Sequence, residues 1–356
     1  MGKVKKVITY HSRIYLLLLL ASFAIISCND PVLEIPAPDV SHLNPEVKIQ
    51  RLDSLFALSD KKMAVEEVVK FQKAHPAFSD IYFKRLLPIY SEDESEFKKR
   101  LIDFLSNEQI ENLIDTTQIV YPNLNDVRKD LKKAMQFYQH YFPDSNVPNF
   151  YSLISEFGVQ SFIFQDGEKD GVGIGLDMFL GADFNYKKLD PRNPAFSDYL
   201  TLFYNSENVV KRSVEVILED KIGTQKGSNL LSQMVNTGKN LYILRKILPF
   251  LSEEIVLGYS EKQMDWLKKN EIEMWSFFLE EELIYETSNA KTFKYLNPSP
   301  NSPGMPEEAP GRTGAYIGFK IVENYMKRNP STTLDQLIEM KDYQKMISKY
   351  KPPRGN

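Results

Sequence analysis

Cysteine is almost missing from this 356-residue chain: Cys28 is the only one. A single thiol excludes an intramolecular disulfide, a cysteine-rich metal centre and thiol chemistry elsewhere in the chain. Histidine is scarce as well. His11, His42, His75 and His140 lie far apart, so no two stand one helical turn from each other with an intervening Glu, as a zinc peptidase requires. No G-x-S-x-G segment offers a nucleophilic serine. A basic footprint is also lacking. Beyond the first 27 residues, 40 basic side chains face 48 acidic ones, a net charge of about −8, so no nucleic-acid partner is expected. No solenoid-type repeat is present and no motif calls for a cofactor.

What the chain does have begins at its start. Lys3, Lys5, Lys6 and Arg13 lead into an apolar run over 14–26 that is short for a membrane span and closes on a small residue. This is the pattern of an export signal over 1–27. The run ends Ile25-Ile26-Ser27-Cys28, which looks like a bacterial lipobox, with Cys28 as the residue that receives lipid. Each buried acyl CH₂ contributes about 0.8 kcal/mol, and stable anchoring takes more than one chain. Pro31, Pro36, Pro38 and Pro45 then mark a tether over 28–46.

A single α+β domain is expected over 47–356, mostly helical, with a helical front half over 47–145 and strands opening the back half at 146. A short strand is expected at Val47, Ile49 and Leu52. Apolar spacings of three and four predict helices over 54–58, 63–75, 78–89, 94–105 and 127–141, with a turn at Asn107-Glu108. The run V-Q-S-F-I-F at 159–164 and a ribbon over 172–180 form a hairpin punctuated by Asp166-Gly167 and Asp170-Gly171. Along that ribbon Val172, Ile174, Leu176, Met178 and Leu180 alternate with Gly173, Gly175, Asp177, Phe179 and Gly181. One face is apolar and the other nearly bare, so a bulge, a ligand or another backbone comes close there. Further helices are predicted from a cap at Glu207 or Asn208 to Ile222, over 229–248, over 261–286, through Tyr325 and Met326, and over 334–340. In the 261–286 helix, Glu271, Glu273, Glu280, Glu281, Glu282 and Glu286 form a solvated acidic face.

Few charged groups suggest chemistry. Glu215 and Glu219, four apart beside Lys211, Arg212 and Lys221, have the pattern of a surface ion-pair face. Gly171, Gly173 and Gly175 lack the following helix of a nucleotide loop. Arg312, behind Pro310-Gly311 at a helix start, is placed to hold an anion or to enter a buried ion pair.

Four segments in order carry a resemblance: the lipobox at Cys28, G-V-G-I-G-L-D-M-F-L-G-A-D-F-N-Y at 171–186, L-L-S-Q-M-V-N-T-G-K-N-L-Y at 230–242, and P-G-R-T-G-A-Y-I-G-F-K-I-V at 310–322. Together they resemble the gliding-motility lipoprotein GldB family of Bacteroidota, over essentially the whole mature chain. The resemblance implies an envelope lipoprotein, anchored in the outer membrane by a lipid on Cys28. It would support gliding or the associated protein-secretion machinery through a protein partner there, with no established catalytic activity. The back half, 146–356, is also distantly similar to zincin-type zinc peptidases. Their H-E-x-x-H helix would correspond to 213–220, which has no His, and 234–238 lacks the acid of the following helix. A zincin-like arrangement of a small antiparallel sheet packed by helices is therefore implied, with a degenerate metal site. The expected molecule is a noncatalytic binder whose groove carries Gly173, Gly175, Asp177 and Arg312, and whose 172–180 strand offers an edge for pairing. The alternative is a peptidase-like envelope hydrolase with a non-zinc mechanism.

Overall fold

Hydrophobic burial gathers both halves of the chain around one four-stranded sheet. The computed structural model describes residues 36–223 and 227–352; Cys28, the signal over 1–27 and the first part of the tether lie outside them. Residues 39–356 make one compact unit, and of a second unit, 1–38, only 36–38 are described. In chain order the elements are β1 (Ile49–Arg51), α1 (Leu52–Phe56), α2 (Lys61–Ala74), α3 (Pro76–Ile81) with a π turn at Tyr82–Leu86, α4 (Glu94–Leu105), α5 (Glu108–Val120) and α6 (Asn125–Tyr141). The strands β2 (Asn149–Leu153), β3 (Ser161–Asp166) and β4 (Lys169–Gly175) follow. The back half continues with α7 (Asp198–Thr201), α8 (Ser206–Ile222), α9 (Leu230–Ile247), α10 (Glu253–Leu257), α11 (Glu261–Lys269), α12 (Glu271–Glu280), α13 (Asn289–Leu296), α14 (Thr313–Arg328), α15 (Leu334–Glu339) and α16 (Tyr343–Ile347).

Side-chain caps set several of these helix starts. Asp93 accepts from the Ser95 and Glu96 N–H groups at the start of α4, and Asn107 does the same for Gln109 and Ile110. Asn107 therefore begins α5 rather than closing a turn. Its helix had no place in the sequence-based assignment.

The fold is α+β and mostly helical, as expected, but the sheet is mixed rather than antiparallel. Its order is β1-β2-β4-β3; β1–β2 and β2–β4 run parallel, and only β3–β4 is antiparallel. The helices of the front half form the long crossover that parallel pairing of β1 and β2 requires. Buried Asp53 ties this connection together: it pairs with Arg51 at 2.5 Å and accepts from Gln118 of α5 at 2.9 Å and from Ser152 of β2 at 2.5 Å.

The expected hairpin is present, with Asp166 opposite Lys169 and Gly167, at φ 68°, taking the first turn position. Two features of the 172–180 ribbon differ from expectation. The strand stops at Gly175, and Leu176–Phe179 forms a 3-10 turn. β4 is also interior, flanked by β2 and β3, so it has no free edge to pair with another chain.

The bare face of β4 is filled from within. Phe162 stands opposite Gly173 and Phe164 opposite Gly171, and a Cβ at either glycine would strike the facing ring. Phe164 in turn meets Tyr151 and Phe78, whose rings stack 4.6 Å apart, so the front helices cover this face. α8 packs on β3 and β4 as well. α9 packs closely along α14, where Gly238 lies against the Gly318 backbone and Gly318 against the Met234 carbonyl.

The predicted 261–286 helix is broken at Asn270, whose side chain turns back to the Trp266 carbonyl at 2.7 Å. The break swings Glu271 out of the acidic face and into the interior, where the Tyr350 hydroxyl donates to it at 2.9 Å.

Candidate functional site

The charged face of α8 opens onto a cavity. Asn205, rather than Glu207 or Asn208, caps this helix, its side chain accepting from the Asn208 N–H at 3.3 Å. Val209, Val210, Val214, Ile217 and Leu218 face the core, which leaves Lys211, Arg212, Glu215 and Glu219 on the other side. These four neutralise one another: Lys211 sits 2.9 Å from Glu215, and Arg212 lies 3.2 Å from Glu215 and 3.0 Å from Glu219. Desolvation pushes the Glu215 carboxyl up, but the pull of Lys211 and Arg212 outweighs it and leaves it below the ordinary glutamate range. Glu215 is thus held ionised. The expected ion-pair face is present, with Glu219 exposed, and it also lines a cavity of about 460 Å³.

Arg312 lines the same cavity, near Lys211: Arg312 Nη1 and Lys211 Nζ both lie within 4 Å of the place a Cβ on Gly258 would take. The loop over 297–311, with five prolines and two glycines, delivers Arg312 in the left-handed region, φ 65°, just before α14. Its Nη1 donates to the Leu257 carbonyl at 3.1 Å, and its guanidinium carbon lies 5.5 Å from the centre of the Tyr259 ring. The Tyr259 hydroxyl donates back to the Arg312 carbonyl at 2.9 Å. Gly258 makes room for this: a Cβ there would come within 2.8 Å of Arg312 Nη1. The Nε of Arg312 is buried without a hydrogen-bond partner. Arg312 is in no ion pair of the described residues, and it is the cation of this cavity that no carboxylate matches.

A second cavity, of about 720 Å³, adjoins the first, with Phe203 and Tyr259 lining both. Asp126, Asp130, Glu207, Glu254 and Glu261 line it and no basic residue does.

The other residues expected in a groove lie elsewhere. Gly173 faces the Phe162 ring, and Gly175 faces the Val159 carbonyl and Ser155. Asp177 is wholly buried and accepts from the Ser155 N–H at 2.9 Å and the Phe157 N–H at 2.5 Å. These bonds pin a turn in which Glu156 and Phe157 both take positive φ. Burial raises the Asp177 carboxyl to about 6 against the hydrogen bonds that lower it. Neither these glycines nor Asp177 line the Arg312 cavity. Packing accounts for all three.

The model of the family described as gliding motility protein GldB matches residues 34–352. The chain belongs to the GldB family. Neither a curated protein nor a solved structure matches it. The GldB family is a lipoprotein family of gliding motility, and the segments at 171–186, 230–242 and 310–322 now have places in its fold. The first is β4 and its 3-10 turn; the other two are the core of α9 and the start of α14, which touch at Gly238 and Gly318. No helix among the described residues is long and apolar enough to cross a membrane. None of the described His, Cys, Asp and Glu residues form a group of three or more that could hold a metal. On α8, two carboxylates already bound to Lys211 and Arg212 make a poor donor set for zinc, so no step is derived through a metal.

Sequence reasoning missed Gly258, Tyr259 and the acidic cavity, because nothing in their local sequence marks them. It also missed Lys239, a lysine buried inside α9 that donates to the Ile338 and Met340 carbonyls. Burial pulls its pKa down to about 8. An isolated lysine amid L-L-S-Q-M-V-N-T-G-K-N-L-Y was the available signal.

Proposed function

We propose that this GldB-family chain is an envelope lipoprotein, tethered to the outer membrane by a lipid on Cys28, that serves gliding motility or the associated secretion machinery. Its role is noncatalytic: it binds or helps to assemble a protein partner in that apparatus. The observation that carries this reading is the cavity between α8 and Arg312, joined to the family match over 34–352. A general acid or base needs a pKa near the working pH. Glu215, the carboxylate facing Lys211 and Arg212, is held below that range by the two cations. The cavity is equipped to hold charge rather than to move protons.

Two measurements test the proposal. With Cys28→Ala expressed in the native cell, the protein is expected in the soluble fraction and colony spreading is expected to fail; retention in the membrane would refute the lipid anchor. Purified chain is expected to leave peptide and glycan substrates intact. Turnover of either substrate would refute the noncatalytic role, and its loss on chelation would assign it to a bound metal.

A further inference from the structure

We infer that the two adjoining cavities form one groove of split charge, which holds an extended polypeptide by a carboxylate on Arg312 and by basic side chains in the acidic half. The inference rests on the noncatalytic reading only in placing the binding function at this cleft.

Arg312 supplies the first argument. A non-glycine residue in the left-handed region costs about 1–3 kcal/mol, and glycine would remove that cost. The backbone at φ 65° thus gives no reason for an arginine. The side chain gives one, because a guanidinium presents donors in a planar fork that matches a carboxylate. Here Nη1 donates to Leu257, Nε is buried without a partner, and Lys211 and Arg212 are already matched by Glu215 and Glu219. An incoming carboxylate would complete the one unmatched cation.

The second argument is the neighbouring wall. Asp126, Glu207, Glu254 and Glu261 lie in the first turns of α6, α8, α10 and α11, where helix dipoles favour acids. The dipoles explain each residue alone. They do not explain why four such starts converge, with Asp130, on one cavity that no Lys or Arg lines. A free anion suits the Arg312 side and is repelled by the other, whereas a polyanion such as nucleic acid is repelled along the longer half. A polypeptide with basic side chains ahead of a carboxylate matches both, and Phe203 and Tyr259 at the junction give its apolar part a surface.

The test uses the full-length chain in detergent and fluorescein-labelled hexapeptides, read by anisotropy. The reference peptide has two lysines, an alanine-phenylalanine body and a free C-terminal carboxylate. It is expected to bind, and its C-terminal amide to bind at least about tenfold more weakly. An amide peptide ending in aspartate separates the two sources of a carboxylate: recovery assigns a side chain, and no recovery assigns the chain terminus. Arg312→Gln is expected to abolish the preference for acid over amide, and Arg312→Lys to keep part of it. Glu207→Gln with Glu261→Gln is expected to abolish the preference for lysines over glutamines. Thermal midpoints confirm that each variant is folded. No binding of the free acid, equal binding of acid and both amides, or a preference unchanged in Arg312→Gln would each overturn the inference. Mass spectrometry of the same mixtures keeps the two claims apart. Cleaved peptide would refute the noncatalytic role and leave the groove standing, whereas absent binding in a chain that still supports spreading would refute the groove alone.

Discussion

Glycine does opposite work in two parts of this molecule. On β4, Gly171 and Gly173 are spaces that the chain fills itself, with the rings of Phe164 and Phe162. Beside Arg312, Gly258 serves the backbone first, closing α10 in the left-handed region at φ 74°, and Arg312 Nη1 takes the space a Cβ would need. A stripe of glycines in a sequence therefore signals close approach without saying what approaches. The partner may be looked for first in the same chain: here F-I-F at 162–164 supplied it for G-V-G at 171–173.

Five substitutions would break or sharpen the contrast. Gly318→Val drives a side chain into the Met234 backbone where α9 and α14 touch, and a backbone carbonyl cannot rotate away. A loss of roughly 3 kcal/mol or more is expected in urea unfolding of the purified chain. Near-native stability would show that the two helices separate readily. Gly173→Val should cost about 2 kcal/mol, and adding Phe162→Ala should recover about 1 kcal/mol of it as a favourable coupling. Strict additivity of the two would mean that the ring does not fill the glycine's space.

Asp177→Asn keeps the volume but leaves fewer acceptors for the Ser155 and Phe157 N–H groups, a cost of about 1–2 kcal/mol. Its pH signature follows from the sign of the shift. The folded carboxyl titrates near 6, above its ordinary 3.8, so the folded state holds the proton more tightly. The contribution of Asp177 to stability is complete below 3.8 and is lost as pH rises through about 6. Unfolding profiles of parent and variant should differ in slope across that window, and parallel profiles would refute the assignment. Smallest of all, Arg312→Gly should alter stability by less than about 1 kcal/mol, because relief of the left-handed backbone offsets the lost contacts with Leu257 and Tyr259. The same change should weaken binding of the free-acid peptide to the level of its amide, about tenfold. A large drop in the thermal midpoint would place Arg312 with the packing residues.

Legibility in the sequence followed the distance between partners. The hairpin could be read because Asp166-Gly167 and its two alternating strands are contiguous. The α4 boundaries could be read because the cap, Asp93, and the apolar positions lie within one short window. Parallel pairing of β1 with β2 could not, since the register joins Ile49 to Phe150 across six helices. Asp177 gave no local sign of its packing role because its partners, the Ser155 and Phe157 N–H groups and the Ser155 hydroxyl, lie about 20 residues earlier in the chain. The cleft was legible only in part. Arg312 stood out behind Pro-Gly, and the α8 charges were recognised as paired. That these walls meet, with Tyr259 between them, depends on how α8, α10 and the 297–311 loop pack together.

The ring-over-glycine pairs also constrain how this chain can diverge. Phe162 cannot shrink without opening a hole over Gly173, and Gly173 cannot grow without expelling the ring. Single steps at either position are disfavoured, so the pair changes jointly or remains fixed. The same holds for Phe164 with Gly171, whereas Gly238 and Gly318 each stand against backbone, of Gly318 and Met234 respectively, and are held as glycine singly. Among diverged relatives these two pairs should covary, Gly238 and Gly318 should each stay glycine, and the Arg312 side chain should follow whatever its groove binds.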